Sequence, residues 1–267
     1  MQINKQICFL VGVPRSGTTW MQRLLQSHPK ICGGAESYFL SFFAHPLRES
    51  HQMIDQDYKI GPLTYIDHER LENAIRSLWF EIFGDLYAAS PTAEVHLEKT
   101  PHHSLFLRDA MRLFPTAKVI FLSRDSRAVV SSMIHASKTW GQHWAPRTYK
   151  QAASMWWQYT SAFTNWRRDN PDHSSLLIRY EDALADTEGA LRTILEFLLG
   201  SCSDGEIADT LNTFQRQALK TEEPEGFARI RGEEGWKTDL SLYGRLITWR
   251  YTRKKMRELG YDIAPFG

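Results

Sequence analysis

An α/β fold is predicted for this chain, with three α/β/α layers around a central, mainly parallel sheet, on three observations. Four short apolar runs, at 7–13, 93–98, 118–123 and 175–180, alternate with stretches whose apolar residues recur at helical spacing. The first run leads into a glycine-bearing loop that opens a helix, a geometry that gathers backbone N–H groups at one spot. No internal repeat or low-complexity linker divides the 267 residues. At 42% hydrophobic they are sufficient for one large core, so residues 1–267 are expected to form a single domain.

Taken in order, Ile7, Cys8, Phe9, Leu10 and Val11 form an unbroken apolar run and read as a buried strand. Residues 18–27 follow as an amphipathic helix, with Trp20, Met21, Leu24 and Leu25 on one face. The segment 37–91 interrupts the alternation and is rich in aromatic residues and histidine. It is expected to be an insertion over the mouth of the sheet, where substrate specificity usually sits. Within it Trp79, Phe80, Phe83 and Tyr87 recur at helical spacing and point to core, whereas Tyr38, Phe39, Phe42 and Phe43 are the expected cleft residues. The strand 118–123 is expected beside the first. Further helices are expected at 103–114, 126–136, 149–168, 187–199 and 204–220. A last helix, 242–259, carries Arg245, Arg250, Arg253, Lys254, Lys255 and Arg257, and reads as a solvated face with a few residues turned toward a phosphate.

The charge balance narrows the function classes. With 32 Lys+Arg against 31 Asp+Glu the net charge is +1, so wholesale nucleic-acid binding is not expected. Cys8, Cys32 and Cys202 lack metal-ligand spacing and, being three, cannot all pair, which suits a reducing compartment. The polar start leads straight into the first strand and no apolar run reaches transmembrane length. A cytoplasmic protein without leader or integral membrane segment is therefore expected. His102 and His103 are adjacent, point different ways and have no partners at ligand spacing, so no metal site is nominated.

Two anion sites can be read from the motifs. Gly12 and Gly17 stand at the G-x-x-x-x-G spacing of a phosphate loop, but Thr18 occupies the position of the lysine that a nucleotide triphosphatase carries. The cation is then expected from inside the loop, from Arg15. Hydroxyls of Ser16, Thr18 and Thr19 and the positive end of the helix complete the cradle. Where such folds commonly place a magnesium-binding aspartate, the strand 118–123 instead runs into Arg124, and Ser132 follows about two helical turns later. A guanidinium fork and a hydroxyl suit a phosphate monoester. The alternative is that Arg124 pairs with Asp125. Together the two sites imply a ligand with phosphate groups at two separated positions.

These elements resemble the sulfotransferases that use 3′-phosphoadenosine 5′-phosphosulfate (PAPS), whose fold is related to that of the P-loop NTPases. Pro14-Arg15-Ser16-Gly17-Thr18-Thr19 is similar to the family's loop for the 5′-phosphosulfate, and Arg124 with Ser132 to its pair for the 3′-phosphate. Arg179-Tyr180-Glu181-Asp182 resembles a segment whose tyrosine lies near the adenine. Arg231-Gly232-Glu233-Glu234-Gly235-Trp236-Lys237 resembles the late segment that closes over the cofactor phosphates. The variant is similar to tyrosylprotein-type and many bacterial members: Arg15 stands where cytosolic members usually carry lysine. Glu36 matches the tyrosylprotein enzymes' catalytic glutamate by its offset from His28-Pro29, and Glu98-Lys99-Thr100-Pro101 resembles their Lys-x-Pro segment. No peptide-binding signature accompanies these matches, so a protein-tyrosine substrate is not carried over.

Residue by residue, the resemblance implies that Arg15, Ser16, Gly17, Thr18, Thr19, Trp20, Arg124, Ser132, Tyr180, Arg231, Gly232, Trp236 and Lys237 bind PAPS or its product 3′-phosphoadenosine 5′-phosphate (PAP). It implies catalytic roles for Glu36, Lys99 and Arg15, and no metal requirement. Lys99 would meet the negative charge growing on the bridging phosphate oxygen, and Glu36 would take the proton of an acceptor hydroxyl or amine. His102 is held in reserve for proton transfer. From the residues alone, Glu36 can equally cap a helix or pair with an arginine, and Lys99 can be solvated. The acceptor class stays open among small molecules such as phenols, glycans, lipids and peptides. Two other functions compete: a P-loop kinase or NTPase, which needs a loop lysine and an acidic magnesium ligand, and a non-catalytic PAP-binding module.

Overall fold

The structure, a computed structural model, describes residues 5–43, 64–219 and 235–264. Among these, β1 (Gln6–Gly12), β2 (Ile31–Cys32), β3 (Val95–Lys99), β4 (Lys118–Ser123) and β5 (Ser175–Arg179) form one sheet in the order β2-β3-β1-β4-β5. Every pairing is parallel, and β1 lies at the centre with Leu10 opposite Lys99 on β3 and Gly12 opposite Leu122 on β4. Side chains alternate across a strand, so β1 serves two cores: Phe9 and Val11 enter one, Cys8 and Leu10 the other.

Parallel neighbours require crossover connections, and helices supply them on both faces. α1 (Thr18–Gln26) covers the Cys8/Leu10 face through Met21, Leu24 and Leu25. After α2 (His68–Ile82), α3 (Gly84–Ala89), α4 (Leu107–Leu113), α5 (Ser126–Lys138), α6 (Tyr149–Asp169) and the short α7 (Tyr180–Ala185), two helices join α1 on that face. These are α8 (Thr187–Leu199), with Leu191, Ile194 and Leu195, and α9 (Asp204–Ala218), with Ile207. The opposite face is covered by α2, α4, α5 and α6 through Trp79, Leu107, Val130 and Trp156. α10 (Trp236–Asp239) and α11 (Leu242–Glu258) follow. This is the three-layered α/β/α architecture expected. Its helix ends are capped as their sequences dictate, with Asp125 accepting from the Arg127 N–H and Ser203 with Glu206 forming a capping box.

Strands and helices differ from expectation in instructive places. The helix expected at 103–114 is divided: a 3₁₀ segment, Pro101–Phe106, precedes α4. Proline has no N–H to give and is at home only in a first turn. Of the segment 37–91, residues 44–63 lie outside the described residues; the remainder supplies α2 and α3. Trp79, Phe83 and Tyr87 are buried in the core as expected, while Phe80 is exposed. Phe39 corrects the sequence reading. It was expected in the cleft, but it is buried with its ring 4.9 Å from that of Trp79. A helical turn at 39–43 directs it inward, and only Tyr38 of that aromatic group lines the cavity.

Candidate active site

In a parallel sheet all strands end on one edge, and loops there can converge on a single ligand. Here they line a cavity of about 950 Å³. Arg15, Gly17, Thr18, Thr19 and Trp20 come from the turn after β1. Glu36 and Tyr38 follow β2, and Pro101 and His102 follow β3. Arg124, Ser131 and Ser132 follow β4, and Tyr180 follows β5.

The turn after β1 is closed by the Ser16 N–H donating to the Val13 carbonyl at 3.0 Å. Arg15 and Gly17 both have positive φ, 75° and 97°, which turns the chain sharply into α1. The N–H groups of the first turn of α1 have no acceptor within the helix and carry the positive end of its dipole toward the cavity. Glycine is required twice. A β-carbon at Gly12 would meet the Leu122 carbonyl oxygen at 2.7 Å, and one at Gly17 would meet the Tyr180 ring at 2.4 Å. Among the described residues, Ser16 Oγ is buried without a hydrogen-bond partner. Gly17→Ala combines this overlap with a left-handed backbone and is expected to cost about 1–3 kcal/mol of stability, read as a lower melting temperature. Unchanged melting would mean that Tyr180 moves aside without cost.

Arg124 is held from several sides. Its Nη1 donates to the Arg15 carbonyl at 3.1 Å, its guanidinium lies 4.5 Å from the centre of the Tyr180 ring, and its own carbonyl accepts from Trp156 Nε1 at 3.0 Å. The alternative pairing with Asp125 is not realised. That carboxylate is taken by Arg127 at 2.6 Å, and Arg127 also donates to the carbonyls of Asp262 and Ala264. The expected convergence of Arg124 and Ser132 is made through Arg15, whose Nε donates to Ser132 Oγ at 3.0 Å and whose guanidinium lies 5.0 Å from the Trp140 ring. Arg15, expected at the 5′ end of the ligand, thus reaches the serine assigned to the 3′-phosphate. Tyr180 and Trp20 meet edge to face, and burial pushes the Tyr180 phenol upward while the Arg124 charge pulls it back.

Glu36 lines the cavity, and Lys99, which is not part of the lining, donates from Nζ to Glu36 Oε1 at 2.5 Å. The Lys99 side chain is only 6% exposed, so it is not solvated, and the Glu36 partner is this lysine rather than an arginine. His102 Nδ1 lies 2.6 Å from the Tyr159 hydroxyl, and burial pushes the imidazole below its usual range. Trp140, Trp144, Met155 and Tyr159 also line the cavity but were not singled out by the sequence reading. The only signal for the last two is their i, i+4 spacing on α6.

The late segment divides. Trp236 lines the cavity, buried with the Arg127 guanidinium 4.1 Å from its ring centre. Lys237 is not part of the lining; its carbonyl accepts from Arg245. Arg231 and Gly232 lie outside the described residues. The basic helix α11 turns none of its residues into this cavity among the described residues, contrary to expectation. Arg245 is drawn to the Leu240 and Lys237 carbonyls and Lys255 to Glu258. Among the described residues no group of three or more His, Cys, Asp or Glu is gathered to hold a metal ion, and no helix is long and apolar enough to cross a membrane.

Known proteins resemble this chain in sequence and in fold. A profile for the sulfotransferase family matches residues 8–201. A putative protein-tyrosine sulfotransferase of Caenorhabditis briggsae is 26% identical over 73% of this chain. The chain spans 65% of that relative's length, and 49% and 38% of the matching Caenorhabditis elegans and Drosophila melanogaster proteins. Among solved structures, the sulfotransferase domain from the curacin biosynthetic pathway superposes with a TM-score of 0.63 at 17% identity, covering 97% of this chain and 99% of that one. Mouse sulfotransferase SULT7A1 complexed with PAP gives 0.58 at 16% identity, covering 96% and 86%. At these identities the structural likeness is one of fold.

Proposed function

The chain belongs to the sulfotransferase family, and from that premise we propose that it moves a sulfuryl group from PAPS to a hydroxyl or amine acceptor. The observation that carries this reading is Glu36, which lines the same cavity as the loop after β1 and Arg124 and holds the enclosed Lys99 ammonium. The donor set fits the ligand. Gly17, the Thr18 and Thr19 side chains and the α1 N-terminus suit one phosphate, with Ser16 buried beneath them and not part of the lining, and Arg124 with Ser132 suits the other. Arg15 joins them, and Tyr180, Trp20 and Trp236 offer faces to a nucleoside. PAPS supplies the sulfuryl group on its 5′-phosphate. Glu36 takes the acceptor's proton as the acceptor–sulfur bond forms; Lys99 and the loop donors stabilise the charge left on the phosphate oxygen as its bond to sulfur breaks.

The cavity walls from Tyr38, His102, Trp140, Met155 and Tyr159 suit a small-molecule, lipid or glycan acceptor with an apolar or aromatic face. Residues 1–267 are taken as one domain, with 37–91 covering the acceptor side; Tyr38 at the cavity supports this. Three free cysteines suit a reducing, cytoplasmic setting. Capture of Asp125 by Arg127 speaks against a magnesium-dependent kinase. The test is calorimetric titration with PAP without magnesium, and separately with magnesium–ATP. Tight, magnesium-independent PAP binding, at about micromolar or better, is expected. Preference for magnesium–ATP would return the chain to the kinase class, and PAP binding without label transfer from PAPS to any acceptor class would make it a binding module.

A further inference from the structure

β3 ends with two charged residues in succession, and alternation sends them to opposite faces. Lys99 meets Glu36. Glu98 turns the other way and is 1% exposed, a carboxylate inside the protein for which sulfuryl transfer as proposed has no use. Its Oε1 accepts from Thr100 Oγ1 at 2.6 Å and from Ser37 Oγ at 2.8 Å. Both hydroxyl protons are thereby committed to one oxygen, which leaves the hydroxyl oxygens as acceptors. Thr100 Oγ1 accepts from the N–H groups of Ser37 at 3.1 Å and Tyr38 at 3.4 Å, and Ser37 Oγ accepts from that of Phe39 at 3.1 Å.

The next amide completes the set. The Leu40 N–H donates to His103 Nε2 at 3.2 Å, so the neutral imidazole carries its proton on Nδ1, which faces Glu98 Oε1 at 3.7 Å. Burial pushes His103 down to about 3, which keeps it neutral and in this role at ordinary pH. Three consecutive backbone amides, 37 to 39, are thus oriented by hydroxyls bonded to one buried carboxylate, and the fourth, at 40, by the imidazole beside it. They lie immediately after Glu36.

We propose that Glu98 is the positioning residue of the active site: through Ser37 and Thr100 it fixes the backbone that presents Glu36 to Lys99 and the acceptor. This rests on Glu36 being the base of the proposed transfer. Left with flexible backbone, Glu36 would occupy its productive position only part of the time, and small misplacements are costly in rate.

Hydrogen exchange and carbodiimide coupling read the anchoring without any acceptor. In Glu98→Leu and in the near-isosteric Thr100→Val, exchange at amides 37–40 is expected to quicken by about tenfold or more, with β1 amides unchanged. Coupling of Glu36 to Lys99, read by peptide mass spectrometry, should fall severalfold. PAP affinity should stay within about threefold. Glu98→Gln keeps an oxygen for both hydroxyls and should restore most of the protection. If Glu98→Leu does not fold, Thr100→Val carries the same reading. Unchanged exchange and coupling in Thr100→Val would overturn the proposal. A wild-type chain that binds no PAP would instead overturn the transfer reaction, and with it the role of Glu36, while the exchange result still reports on the anchor.

Discussion

Glu36→Gln is expected to slow sulfuryl transfer by about a hundredfold or more, with PAP affinity within about threefold of wild type. The amide keeps an oxygen for the Lys99 ammonium, whose side chain is almost fully enclosed, so the wall should hold its shape. What it loses is the capacity to take a proton. Lys99→Met is the complementary change: an apolar chain fills the enclosed stem, and loss of the cation should cost about 10²–10³ in rate. Single-turnover transfer of label from PAPS, beside PAP titration, separates rate from binding. Near-normal turnover in Glu36→Gln would remove it as base and turn attention to His102, with its burial-lowered imidazole, and to Asp239, both on the same cavity.

Arg124→Ala should weaken PAP binding by about 30-fold or more, truncation of a charged hydrogen-bonding partner costing about 2–5 kcal/mol. Three contacts go together: the fork available to a phosphate, the bond to the Arg15 carbonyl and the face against Tyr180. Arg124→Lys keeps the charge but neither the fork nor the stacking plane, and should recover only part of the loss. Equal affinity of the alanine variant for PAP would assign the second phosphate elsewhere in the cavity.

Much of this arrangement is legible in the amino-acid sequence because local rules govern it. A strand buried on both faces must be apolar throughout, and a sharp strand-to-helix turn must carry glycine, so β1 and its loop announce themselves. Arg124 stands out as a cation where a carboxylate commonly ends a strand. The meeting of Glu36 with Lys99 joins positions 63 residues apart, and only the resemblance to a family brought them together in advance. Phe39 was misread because aromatic residues serve core and cleft alike; a single helical turn decided which way it faces. Tyr159 and Met155 hid on a long helix rich in buried residues. The two-residue β2 is too short to carry a pattern.

One side chain gives the cavity a property that a residue roster does not convey. Arg15 accepts from Arg124 through its backbone and donates to Ser132 through its guanidinium, so loop, strand end and α5 share a member. Groups that share a member do not contribute independently. On the proposed reading, a phosphate bound at either end would redraw the hydrogen-bonding set at the other, so that recognition of the donor would be a joint reading and a nucleotide with only one of the two phosphates would engage half of a latch.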